Sequence, residues 1–323
     1  GLAMSINLTD GIPTNFVDDF KNDLISVTQQ KQSLFEFATM SENLVGAEDK
    51  AFDLIDKMEM QPKEGRNPPT PRNDISTQRR WVFTDPYHNA WQFDKDDDLS
   101  HKLNPAGATV REARRGRNRK VDDIILASFD ATVQSGRRSN SSTITWASEN
   151  GNVKYTDSSG GRTIPHDTAE GNASAADTGM TAEKAELIVE YFAKNEVDQE
   201  IPIFCAISPR QATNLFGQEQ YVNVDYNTSK PLADGRYLKE WMGIHWIRSN
   251  KIVKGTSNDV DSDTNVYRCP AWAKEGIILG VSDSITVELD KLPELSYAQQ
   301  VYIHMNMGAM RLNEDYVLFV ECQ

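Results

Sequence analysis

The chain has 323 residues and a net charge of −14, with 48 acidic residues against 34 lysines and arginines. A chain of this length can bury a sizeable core as one large or two modest domains. With a mean hydropathy of −0.57 and no long apolar run or secretory signal pattern, we expect no membrane partner. Its bulk acidity argues against a general coat for nucleic acid.

Residues 1–50 are rich in helix formers but lack a core pattern of their own. Phe16, Phe20, Leu24 and Val27, followed by residues 34–37, form an amphipathic stripe. Such a stripe must bury itself on something else. We expect an arm that docks either on its own domain or on a neighbouring subunit.

Residues 51–95 are predicted to form a long protruding hairpin. The polar segment QPKEGRNPPTPRND separates two extended stretches, and it is too rich in Pro and Gly for helix or central strand. In the second stretch, Arg79, Trp81 and Phe83 alternate with Arg80 and Val82, as in a strand. The aromatic residues are expected to pack either on their own domain or under a neighbouring subunit. The candidate interface residues are Trp81, Phe83, Trp91, Phe93, Arg79 and Arg80.

Residues 104–134 are predicted to form one long helix, with Asn104 as its N-cap and Pro105 at its first position. Its first half is basic, with six cations and one acid in residues 111–120. This face could contact acids of an adjacent subunit, packaged DNA, or solvent, and the residue types do not decide among the three. The cations of this face are Arg111, Arg114, Arg115, Arg117, Arg119 and Lys120.

Residues 177–285 are predicted to form a mixed α/β region. Thr181 and the Ser208-Pro209 pair each predict a helix start, while IPIFCAIS and GIHWIRSN predict strands. We expect residues 254–265 to link the second strand to residues 266–269 as a hairpin. The tail is predicted to end in an antiparallel strand pair around a turn at residues 313–315, which packs on the long helix.

No catalytic or metal constellation is found. The acidic run Asp259-x-Asp261-x-Asp263 fails as a calcium loop because Thr264 and Pro270 occupy the positions that need Gly and Glu. The run at residues 94–98 and the five histidines also lack ligand spacing. Nucleophile elbows and nucleotide-binding loops are absent. We therefore predict no enzyme, no cofactor and no metal, and we interpret the three cysteines as reduced structural thiols.

Taken in order, these segments resemble the major capsid proteins of tailed bacteriophages, with the α+β fold of the Hong Kong 97 type. The resemblance covers residues 15–323 and includes one podovirus and prophage capsid group. It is carried by PRNDISTQRRWVFTDPYHNAWQFD, NPAGATVREARRGRNRKVDDIILASF, GMTAEKAELIVEYFAKN, AISPRQATNLF, DYNTSKPLADG, GIHWIRSN and LPELSYAQQVYIHMNMGAMRLNEDYVLFVEC.

The resemblance implies an N-terminal arm (1–50), an extended E-loop hairpin (51–95), a P domain with a long spine helix (96–176), an A domain (177–285) and terminal strands that return to the P domain (286–323). It implies self-assembly into hexamers, pentamers and an icosahedral shell around double-stranded DNA bound non-specifically. Scaffolding and portal proteins are further implied partners. The expected location is the virion, and the bacterial host cytoplasm before assembly.

Two alternatives stay open at this point. One is a DNA-binding protein that acts through the basic helix at residues 111–120, with affinity that falls with salt. The other is a cellular nanocompartment shell of the same fold.

Overall fold

In the computed structural model, the described residues are 29–47, 49–70, 72, 74–93, 105–136, 142–155, 160–168, 178–218, 239–252, 254–255 and 266–323; side chains are described in these ranges except at residues 93 and 105–109. These ranges contain the helices α1 (Pro105–Ser128), α2 (Ala182–Lys194) and α3 (Pro209–Phe216). The strands are β1 (Met40–Asn43), β2 (Asp49–Ile55), β3 (Thr77–Phe83), β4 (Asp85–Phe93), β5 (Val133–Gln134), β6 (Thr143–Ile144), β7 (Thr163–Ile164), β8 (Ile203–Ile207), β9 (Glu240–Trp241), β10 (Ile244–Arg248), β11 (Lys254–Gly255), β12 (Val266–Ala273), β13 (Ile277–Leu292), β14 (Ala298–Arg311) and β15 (Val317–Cys322).

The strands form three sheets. One has the order β1-β13-β14-β4, and α1 packs across its β13 and β14 strands. A larger sheet has the order β7-β15-β12-β8-β10-β9, with β11 paired to β12. The third, β2-β3-β5-β6, contains the base of the predicted hairpin. No helix within these ranges is long and apolar enough to cross a bilayer.

A single large core joins the arm, α1 and the larger sheet. Phe35 of the arm, Phe129 just beyond α1 and Trp272 of β12 are all buried in it. The rings of Phe129 and Trp272 lie 4.8 Å apart, and the Trp272 indole donates a hydrogen bond to the Ala38 carbonyl at 2.8 Å. The arm from residue 35 onward is therefore part of the folded unit.

The long helix begins as predicted at Pro105 but ends at Ser128, six residues before the predicted end. The predicted cap, Asn104, lies outside the described residues. Beyond the end, the Arg311 guanidinium donates to the carbonyl oxygens of Phe129 at 2.6 Å and Ala131 at 3.1 Å. A cation on these carbonyls favours termination here, and the β-branched residues that follow enter strand β5.

In the α/β region, both predicted helix starts are confirmed. Thr181 and Ser208 cap α2 and α3 through their side chains, and β8 and β10 match the two predicted strands. The predicted hairpin between β10 and β12 is wrong. Strand β8 lies between them, parallel to β10 and antiparallel to β12, while residues 256–265 of the linking stretch lie outside the described residues.

The terminal strand pair is also wrong, although the predicted turn at Asn313 is present. Strand β14 pairs with β13 and β4, and α1 packs on it as predicted. Strand β15 instead joins the larger sheet between β12 and β7. All six of its residues are buried, and a strand that is apolar on both faces requires such an interior position.

Candidate functional site

The base of the hairpin is a regular antiparallel pair. Strands β2 and β3 pair from Asp49↔Phe83 to Ile55↔Thr77, which confirms the hairpin that the sequence predicts. Beyond this pair, described residues 56–66 are all exposed. The exposed fraction is 64% at Met58 and 90% at Met60. The hairpin therefore presents large apolar side chains to solvent, while its Lys57 pairs with Glu196 of the same chain.

The predicted interface residues separate into different environments. Trp81 and Phe83 are half-buried, and Trp91 is 40% exposed. Arg79 is exposed and forms a two-point ion pair with Asp53 across the hairpin, at 2.6 and 2.9 Å. This hydrogen bond lowers the pKa of Asp53 below its usual range. The side chain of Phe93 lies outside the described set.

Arg80 lies inside its own subunit rather than on an interface, because its side chain is only 2% exposed. Its guanidinium donates to both carboxylate oxygens of Glu314, at 2.7 and 2.5 Å. Arg311 donates to the same carboxylate at 3.0 Å. The alternation of β3 places Arg80 opposite its half-buried neighbours, as predicted, but the face it occupies is the inner one.

This Arg80–Glu314–Arg311 triad joins three parts of the chain. Arg80 belongs to the hairpin, Glu314 precedes β15, and Arg311 caps the carbonyls that follow α1. Burial by itself would raise the pKa of Glu314, but the hydrogen bonds and charges of the two arginines outweigh it and lower that pKa. Two cations share one carboxylate, so the triad depends on Glu314 being ionised.

The basic face of α1 is largely engaged within the chain, which is an arrangement that the sequence alternatives did not include. Arg117 forms a two-point ion pair with Glu36 of the arm at 2.8 and 2.9 Å. Arg115 pairs with Glu112 at 2.7 Å. Arg119 donates to the Gln29 side chain, and Lys120 stacks over the Tyr87 ring at 4.6 Å.

The two remaining cations of this face, Arg111 and Arg114, are exposed. Neither forms an ion pair with another residue in the described ranges. They are the two exposed cations of the face.

Asp122 anchors the arm to α1, and it was not among the predicted residues. Its side chain is fully buried. It accepts hydrogen bonds from the Ser33 hydroxyl at 2.5 Å, the Leu34 backbone amide at 3.1 Å and the Phe35 amide at 3.3 Å. A sequence signal does exist, since an acid three residues before Ile125 falls on the apolar stripe of the helix.

Among the described residues, those that could suggest metal binding do not assemble a site. No group of three potential ligands for a metal lies within the described ranges; both acidic runs lie outside them. Cys205, Cys269 and Cys322 are free and buried, as predicted. They come from the adjacent strands β8, β12 and β15, and burial raises the pKa of Cys205. The Cys205 thiol is therefore a poor nucleophile.

Comparison with known proteins identifies the fold. The family model described as phage capsid protein matches residues 12–323. No curated protein matches the sequence.

Three solved phage capsids share the fold of this chain at low identity. The capsid of cyanophage Pam1 has 11% identity and a TM-score of 0.69, with 99% of this chain and 98% of that chain covered. The capsid of Ralstonia phage GP4 has 14% identity and a TM-score of 0.65, with the same coverage of 99% and 98%. The capsid of cyanophage P-SCSP1u has 16% identity and a TM-score of 0.65, with 96% and 93% covered.

Proposed function

The chain belongs to the phage capsid protein family, and on that basis we propose that it assembles with copies of itself into pentamers, hexamers and a closed icosahedral shell. The family is a structural one, which favours this role over the free DNA-binding protein and the cellular nanocompartment. We also propose that the chain has no catalytic activity of its own.

The observation that carries this proposal is the hairpin with its exposed apolar end. Ile55, Met58 and Met60 are 70%, 64% and 90% exposed. Large apolar side chains grouped on a projecting segment are typical of surfaces that a partner covers. In a shell, the partner is a neighbouring copy, so residues 51–95 act as the E-loop, and Trp81, Phe83, Trp91 and Phe93 support the seam.

The remaining assignments follow the Hong Kong 97 type of subunit. The arm is residues 1–50, the P domain is 96–176 with α1 as its spine, and the A domain is 177–285. Residues 286–323 supply β14, which returns to α1, and β15, which joins the larger sheet beside β12. Strand β13 crosses the boundary at residue 285, which makes it a continuous link between the last two segments.

The exposed cations Arg111 and Arg114 supply contact either to acids of an adjacent subunit or to packaged DNA, which they would bind without sequence preference. Scaffolding and portal proteins are proposed as further partners, and the host cytoplasm as the location before assembly. Each subunit contact is modest, but closure of the shell makes their sum effectively irreversible.

Substitutions at the hairpin end test this proposal. Met60→Asp, alone and with Met58→Asp, should abolish assembly detected by light scattering, because a charge replaces apolar surface at the seam. These side chains have few contacts within the subunit, so its thermal stability should stay unchanged. The matched control is Val45→Asp, an equally polar change at a residue that is 73% exposed outside the hairpin. Normal shells from Met58→Asp/Met60→Asp would contradict the proposed seam.

A further inference from the structure

A groove runs between α1 and strands β4 and β14, with a volume of about 380 Å³. Its floor is apolar and is formed by Ala113 on the helix and by Ile303 and Met305 on β14. Trp91 and Asn89 of β4 form the opposite wall. The space is large enough for two or three apolar side chains from a bound segment.

Gly116 deepens this groove. A glycine inside a helix costs about 1 kcal/mol relative to alanine, so its presence at the middle of α1 needs a reason. A Cβ built at Gly116 would meet only the Arg119 Nη2 atom, at 3.9 Å. Packing within the described residues therefore does not require a glycine here. Close approach of another backbone over the helix would require one.

The charge around the groove favours an acidic occupant. Arg117, Arg119 and Lys120 lie along its helix side. Arg117 already pairs with Glu36, whereas the partners described above for Arg119 and Lys120 are uncharged. Glu112 also lines it but already pairs with Arg115. The matching occupant has apolar side chains on one face and carboxylates beside them.

The chain contains one segment with this pattern in its first 28 residues. Residues 16–27 read FVDDFKNDLISV, in which Phe16, Phe20, Leu24 and Val27 follow helical spacing. Three aspartates and one lysine give the segment a charge of −2.

The chain enters the described structure at the edge of the groove. The Gln29 side chain contacts Glu112 and Arg119, and both of these residues line the groove. Leu24 is five residues earlier, which is at most about 17 Å of extended chain. The segment can therefore reach the groove of its own subunit without a second copy.

We propose that residues 16–27 bind in the groove of their own subunit, with the apolar stripe on Ala113, Ile303 and Met305 and the aspartates against the cations of α1. The contact goes beyond the proposed shell function, because it forms in the unassembled subunit. It also shields Arg119 and Lys120 from other anionic partners.

Thiol labelling of the full chain tests this docking. Asn89→Cys places a probe in the groove, and Ala90→Cys, on the next residue of β4, places a control on the other face of the strand. Both residues are exposed among the described ones, whereas the native cysteines are buried. Adding Phe20→Asp should speed maleimide labelling at residue 89 by at least about tenfold, since one large apolar contact is lost. Labelling at residue 90 should stay within about twofold.

Two further measurements, the salt dependence and the concentration dependence of labelling, test the charge contacts and the source of the occupant. High salt should speed labelling at residue 89 in the parent chain, because it screens the aspartate–cation contacts. Labelling at low protein concentration should remain equally slow if the occupant belongs to the same subunit. Equal rates with and without Phe20→Asp would overturn the proposal. Protection that disappears on dilution would also overturn it, because the occupant would then come from a second copy.

Discussion

Replacing Arg80 with glutamine should destabilise the subunit and loosen the base of the hairpin. The substitution removes two charged hydrogen bonds of 2.7 and 2.5 Å to Glu314, each worth about 1.5–3 kcal/mol. Glu314 keeps its contact with Arg311 at 3.0 Å, so the loss should lie near the lower end of the 3–5 kcal/mol typical of a broken buried pair, at about 3 kcal/mol. Urea unfolding followed by circular dichroism measures this free energy, and hydrogen exchange should rise at the amides of β3.

The adjacent residue provides the control. Arg79→Gln makes the same chemical change on the same strand, but its ion pair with Asp53 is exposed. Such pairs contribute little in water, so Arg79→Gln should leave the unfolding transition unchanged. If Arg80→Gln and Arg79→Gln gave the same unfolding curve, the triad would not hold the hairpin base.

Three other changes test the fold. The pKa of Glu314 is lowered in the folded protein. Its ionised carboxylate therefore stabilises the fold above the unfolded pKa of about 4.3, and this stability is lost as the pH falls through the folded pKa. The unfolding free energy of Glu314→Gln should vary less than that of the wild type between about pH 5 and pH 3. Asp122→Asn should lower the free energy of unfolding by about 1–3 kcal/mol and expose the arm to limited proteolysis. The control Asp123→Asn, at a half-exposed neighbour, should do neither. Equal cleavage of the two variants would contradict the role of Asp122 as the anchor of the arm. A Cβ on Gly308 would lie 1.8 Å from the Phe83 carbonyl oxygen, so Gly308→Ala should lower soluble yield and Tm, and a wild-type Tm would refute that close approach.

Local patterns in the sequence predict most individual elements. The caps at Thr181 and Ser208, the alternation in β3, and the Pro-rich interruption of the hairpin all depend on neighbours within a few residues. Such signals act before tertiary structure forms, and the structure confirms each of these elements.

Pairing between distant strands is less predictable. The turn at Asn313 is present, but the strands on its two sides belong to different sheets. Sequence neighbours usually pair, and that rule led to the wrong terminal hairpin. The apolar run VLFV at the start of this strand is the signal that indicates an interior strand of a larger sheet.

The roles of charged residues depended most on distant partners. Arg80 finds Glu314 across 234 positions of sequence, and Arg117 finds Glu36 across 81. Composition shows that such arginines need carboxylates or phosphates, but it cannot show that the carboxylate lies in the same chain. Pairing of the basic helix with acids of its own chain could therefore not be predicted from the sequence.

The proposed shell requires copies of this chain to associate with one another. Negative-stain electron microscopy of the concentrated wild-type protein, with light scattering on the same sample, tests this association most directly. Rings of five or six subunits, tubes or closed shells are expected. A small closed dimer or tetramer would contradict the proposed shell, because neither symmetry can tile an icosahedral shell.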